Sequence, residues 1–82
     1  MGISIEISLY PLQTSYKNII LDFLERIRQY DELTVMTNNM STRIFGDYEV
    51  VMPLLNKELK TTFVRPETVV VVMKMVGKNL EE

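Results

Sequence analysis

The chain has 82 residues, of which 9 are basic and 11 acidic, so its formal net charge is −2, and it contains no Cys, His or Trp. That length holds one small domain, residues 1–82. The missing Cys and His exclude disulfide scaffolds, thiolate zinc sites and Ser-His-Asp or Cys-His catalysis, and a pI near 5.1 argues against a nucleic-acid-binding surface.

The first element is an alternating strand, Ile3 to Tyr10, with Ile3, Ile5, Ile7 and Leu9 on one face and Ser4, Glu6, Ser8 and Tyr10 on the other. Pro11 is expected to end it, because it lacks a ladder donor. Over residues 15–30 the period changes. Tyr16, Ile19, Ile20, Phe23, Leu24 and Ile27 form an apolar helical stripe. Thr14 or Ser15 is the expected N-cap. Asp22, Glu25, Arg26, Arg28 and Gln29 fall on the wet side, with Glu25 and Arg28 spaced for an ion pair.

Leu33 to Asn38 reads as a second strand and Met40 to Phe45 as a third, joined at Asn38-Asn39, where Asn tolerates left-handed backbone. Gly46-Asp47 ends the third strand and opens a second helix with Asp47 as N-cap. Val51, Leu54, Leu55 and Leu59 form its apolar stripe. Pro53 predicts a kink or a late regular start. Residues 61–67 read as a loop, and Thr68 to Val76 as a β-branched last strand.

The order β-α-β-β-α-β defines an α+β, ferredoxin-like sandwich: a four-stranded antiparallel sheet in the order 4-1-3-2 with both helices on one face. The helix-facing set is Ile3, Ile5, Ile7, Leu9, Leu33, Val35, Met40, Ile44, Val69, Val71, Met73 and Met75. The other face carries Glu6, Ser8, Tyr10, Thr34, Met36, Asn38, Ser41, Arg43, Phe45, Val70, Val72 and Lys74. An exposed face should be mostly polar, and the last strand is apolar on both sides although it lies at an edge. A homodimer or homotetramer built through this face and the last strand follows as an expectation. The numerous methionines suit core and interface filling.

Glu6 is flanked in this arrangement by Arg43 and Lys74. The pattern fits a structural cross-strand ion pair, or a carboxylate available to a ligand's positive charge in an intersubunit cavity. Tyr10, Phe45 and Tyr48 could stack on a flat heterocycle. Strand-end capping explains Tyr10 equally well, and interface or core packing explains Phe45. Asn38, Ser41 and Thr42 place short hydrogen-bonding groups around the second hairpin, where turn chemistry is the plain explanation.

No basic n-region or long apolar segment opens the chain, and its longest aliphatic run is far short of the ~20 residues of a membrane helix. Gly2 lacks the Ser or Thr that myristoylation wants at position 6, and without a secretion signal the Asn39-Met40-Ser41 sequon carries little weight. The expectation is a cytoplasmic protein with no membrane or nucleic-acid partner.

Leu9-Tyr10-Pro11-Leu12, Thr37-Asn38-Asn39-Met40-Ser41-Thr42, Gly46-Asp47-Tyr48 and Val71-Val72-Met73-Lys74 resemble, in order and spacing, the YkoF-like family of the thiamin-binding superfamily. The similarity runs from about Ile3 to Val76. It implies a non-enzymatic binder of thiamin or its hydroxymethylpyrimidine moiety, linked to vitamin uptake or salvage and assembled by sheet packing. Where the family's namesake carries two such domains in tandem, a homodimer of this chain would reproduce the pair. The resemblance carries Tyr10, Asn38, Ser41 and Thr42 over as candidate contacts. With Glu6 and Ser8 they form the expected ligand-binding set. No catalytic residue, metal ligand or cofactor other than the ligand itself is expected. The competing reading is a structural or regulatory oligomer with no small ligand. An enzyme is disfavoured because the Gly-rich phosphate loop with an Arg that acylphosphatases of this fold class use is absent, and the remaining carboxylates, Lys and Tyr are ordinary surface chemistry. An RNA binder is disfavoured because Glu6 occupies the centre of the first strand.

Overall fold

The computed structural model describes residues 1–14 and 16–81 and contains β1 (Gly2–Pro11), α1 (Tyr16–Arg28), β2 (Thr34–Thr37), β3 (Thr42–Asp47), α2 (Tyr48–Phe63) and β4 (Val69–Val76). The sheet order is β2-β3-β1-β4, with every pairing antiparallel. This is the ferredoxin-like α+β sandwich expected from the sequence, with the alternating first strand between the third and the fourth.

The core is the product of two periods. Ile3, Ile5, Ile7 and Ile44 contribute one face of the sheet, and Phe23, Leu24, Ile27, Val51 and Leu55 the inner stripes of the helices. Register agrees with the assigned faces: Ile5 stands between Ile44 and Met75, and Glu6 between Arg43 and Lys74. Three helix-facing assignments fail on burial. Met73 and Met75 point to the helix side but remain 37% and 43% exposed, because the helices pack over β1 and β3 and leave the far half of β4 bare. Met40 belongs to no strand; it sits in the β2–β3 connection at 85% exposure.

Several boundaries also move. β3 begins at Thr42, and Pro11 is the last residue of β1. The hairpin turn uses no left-handed residue, since no described residue has positive φ. Asn38 instead opens the turn. Its N–H donates to Ser41 O at 3.1 Å, and its Oδ1 accepts from the N–H groups of Met40 and Ser41 at 2.7 and 2.9 Å.

Asp47 occupies the cap position of α2 in extended backbone, but its side chain makes no capping bond; the Tyr48 N–H donates to Met1 O at 2.7 Å. α2 continues unbroken past Pro53, which lies on the solvent side where the freed carbonyl of Glu49 can be hydrated. It also runs through 61–63, expected as loop, and stops before Pro66, which disfavours helical backbone at Arg65. Of the two expected N-cap residues of α1, Thr14 and Ser15, the second lies outside the described residues.

Arg26, expected on the wet side, is instead the hub between the helices. It donates through Nε to Asp22 (3.1 Å), through Nη1 to Glu58 Oε1 (2.7 Å) and the Glu58 carbonyl (2.9 Å), and through Nη2 to Thr62 Oγ1 (2.6 Å). Tyr30 donates its hydroxyl to Glu58 Oε2 at 2.6 Å. The expected Glu25–Arg28 pair is replaced by Asp22–Arg26, and Arg28 reaches Thr37 Oγ1 at 2.8 Å.

Gly46 marks the closest approach of β3 to α2. A Cβ there would stand 2.7 Å from Val51 Cγ2 and 3.1 Å from the Glu32 carbonyl oxygen. Val51 is fully buried and cannot swing away. Gly46→Ala is expected to destabilise the fold by about 1 kcal/mol, read as a lower urea midpoint; an unchanged midpoint would show that the α2 entry is slack.

Candidate functional site

β1 outruns its neighbour. Its ladder with β3 ends at Ile7–Thr42, whereas its ladder with β4 continues to Pro11–Val69. Beyond Ile7, the first half of α1 and the β2–β3 turn stand apart, and a cleft of about 580 Å³ opens between them. That volume is in the range of small-molecule sites. Its walls are apolar, from Ile7, Leu9, Ile20, Phe23 and Leu24. Its rim is polar, from Ser8, Thr37, Asn38, Asn39, Ser41 and Thr42, with Tyr10 and Tyr16 also lining it.

Five of the six candidate residues (Ser8, Tyr10, Asn38, Ser41 and Thr42) therefore line one cleft. Glu6 does not. It lies on the outer sheet face in a separate hollow of about 300 Å³ with Ser4, Arg43, Phe45, Lys74 and Leu80. Its Oε1 accepts from Lys74 Nζ at 3.0 Å, and its Oε2 accepts from Ser41 Oγ at 3.2 Å. The Lys74 hydrogen bond, followed by that of Ser41, holds the Glu6 carboxyl below its usual pKa. Glu6 thus forms the cross-strand ion pair and touches the cleft only through Ser41. Glu6→Gln weakens the hold on Ser41 without emptying the cleft. The expected outcome is a two- to fivefold affinity loss for any cleft ligand (about 0.4–1 kcal/mol), read by titration calorimetry with the oligomeric mass unchanged.

The hydrogen bonds define what the rim can offer. Asn38 Oδ1 is committed to the turn, so its amide nitrogen is the group left for a ligand. Thr37 Oγ1 is oriented by Arg28. Tyr16 belongs to the apolar stripe of α1 by spacing, yet it is half exposed at the cleft mouth. Its place in the first turn of α1, ahead of the covered part of the stripe, was the available signal. Of the other aromatic candidates, Phe45 is buried at 5% exposure on the outer face. There the C-terminal segment folds back over Ser4: Ser4 Oγ donates to Lys78 O at 2.7 Å and accepts from the Leu80 N–H at 2.8 Å. Tyr48 is exposed at the start of α2, away from the cleft. Among the described residues no three or more Asp and Glu side chains group as a metal site, and no helix is long and apolar enough to cross a membrane.

The fold and the cleft define a ferredoxin-like domain with an open pocket at one end of its sandwich. No protein-family signature and no curated protein matches the chain. Solved structures do. Hypothetical protein MJ1052 of Methanocaldococcus jannascii is 25% identical, with a TM-score of 0.77 over 99% of this chain and 84% of that one. Protein SP2199 of Streptococcus pneumoniae is 17% identical, with a TM-score of 0.84 over 98% and 90%. A Thermotoga maritima protein, TM0486, described provisionally as a thiamine biosynthesis/salvage protein, is 13% identical, with a TM-score of 0.70 over 90% and 83%. The fold is shared along nearly the whole length of this chain.

Proposed function

We propose that the chain is a non-enzymatic small-molecule-binding protein whose cleft takes thiamin or its hydroxymethylpyrimidine moiety, in the service of vitamin uptake or salvage. The observation that carries this reading is the cleft itself. Its apolar walls suit a flat ring, and its rim gathers hydroxyls and a carboxamide from β1 and the β2–β3 hairpin. Such groups read hydrogen-bonding edges and do not move protons at neutral pH, which supports binding without turnover. The shared fold with the Thermotoga protein described for thiamine biosynthesis or salvage points the same way. The bare apolar residues of β4, Val70, Val72, Met73, Met75 and Val76, support assembly with further copies of the chain.

Titration calorimetry with thiamin, and in parallel with hydroxymethylpyrimidine, tests the reading. Saturable binding near one ligand per chain is expected. No heat from either at millimolar ligand and two temperatures would overturn it and leave the structural-oligomer alternative. A monomeric mass at micromolar concentration would remove the assembly.

A further inference from the structure

The gap beside β1 exposes main chain as well as side chains. In an antiparallel sheet a hydrogen-bonded residue sends its N–H and C=O to the same side, and successive residues alternate. Leu12 N–H donates to Thr68 O at 2.9 Å, which assigns the even-numbered residues of β1 to the β4 side. Tyr48 N–H donates to Met1 O, which assigns the odd-numbered residues to the β3 side. Leu9 is odd. Continuing the register Ile7–Thr42, its partner would be Met40. But Met40 has left the sheet, and its N–H is held by Asn38 Oδ1. The Leu9 N–H and C=O therefore face the cleft across an open edge, while Ser8–Val72 and Tyr10–Val70 pairing keeps that stretch of backbone fixed from the other side.

We propose that the Leu9 main chain is the hydrogen-bonding edge of this site, and that it pairs with a planar ligand carrying a ring-nitrogen acceptor next to an amino donor. The proposal rests on the small-molecule reading above and specifies how that molecule is held. One extended residue presents a donor and an acceptor side by side in a plane. Its complement is an acceptor beside a donor, the amidine-like edge of an aminopyrimidine. An unpaired edge otherwise attracts another strand, but this one is too short for that. Pro11, the next residue facing the gap, has no N–H, and the edge ends there, with Tyr16 and the hairpin tip at the cleft. The cleft beside this edge has room for a planar ring, with the Asn38 amide nitrogen available at its rim.

The test uses the full chain labelled with ¹⁵N and titrated with 4-amino-5-hydroxymethyl-2-methylpyrimidine. The Leu9 amide proton is expected to move downfield and to exchange about tenfold more slowly at saturation, and the des-amino analogue is expected to bind about tenfold more weakly. Shifts at Asn38 and Thr42 with Leu9 unmoved and unprotected would overturn the main-chain edge and leave a binder of another geometry. No shift anywhere at millimolar ligand would overturn both this proposal and the reading on which it rests.

Discussion

Arg26→Ala is expected to remove about 3 kcal/mol of folding stability, a large part of the ~5–15 kcal/mol that a small domain has. Glu58 is only 5% exposed. Its two oxygens accept from Arg26 and Tyr30, and its carbonyl from Arg26 as well. Truncating Arg26 strands that carboxylate, frees Thr62 Oγ1 and removes the guanidinium that lies over the Phe23 ring at 5.8 Å. Replacing both charges by apolar groups, Arg26→Met with Glu58→Leu, is expected to cost less than the single truncation, because no buried charge is then left alone. Urea unfolding measures both. A single-variant loss under about 1 kcal/mol would show that the helices do not depend on this network.

The same network sets an acid limit. The Tyr30 hydrogen bond, reinforced by Arg26, holds the Glu58 carboxyl below its ordinary value of 4.5. The unfolded chain therefore takes up this proton first as pH falls. The contribution is complete above about pH 4.5, declines below it, and is lost once the pH has passed through the depressed folded value. Glu58→Gln should flatten the wild-type decline in stability below pH 4.5; an identical slope would assign the acid sensitivity to other carboxylates.

Asn38→Ala is expected to weaken ligand binding about thirtyfold, near 2 kcal/mol. The side chain has two tasks at once. Oδ1 holds the Met40 and Ser41 N–H groups and so fixes the hairpin tip that forms one wall of the cleft. The amide nitrogen is the donor left for the ligand. Asn38→Asp separates the tasks, since a carboxylate still accepts both N–H groups but has no donor. The aspartate variant should keep the hairpin, read from amide shifts at Met40 and Ser41, and still lose affinity. Full affinity in Asn38→Asp would remove the amide nitrogen from the site, and full affinity in both variants would place the ligand elsewhere.

The fold was legible because each element carried its own period. Ile3–Ile5–Ile7–Leu9 alternates and Ile19–Phe23–Leu24–Ile27 recurs at helical spacing, so neither depends on a distant partner for its identity. Element edges were less legible. Met40 looked like a strand residue by composition, but the Asn38 side chain captures the next N–H groups and turns the chain there. Arg26 looked solvated because a helical wheel shows which way a side chain points and not what stands opposite. Only the approach of α2 brings Glu58 and Thr62 to it. Residues 61–63 stay helical because α2 packs on α1 through that same contact.

Of the candidate site, Asn38, Ser41 and Thr42 were visible as neighbours in sequence, and Ser8 and Tyr10 as strand-end residues. That they share one cleft, while Glu6 two residues earlier faces a different hollow, depends on where the β1–β3 ladder stops. By itself the sequence determined the element order, the sheet topology and the absence of thiol and imidazole chemistry, because local periodicity and composition act without long-range contacts. The tertiary structure alone decided the length mismatch between β1 and β3, the open Leu9 edge beside it and the buried Arg26–Glu58 hub, because each exists only when segments far apart in the chain come into register.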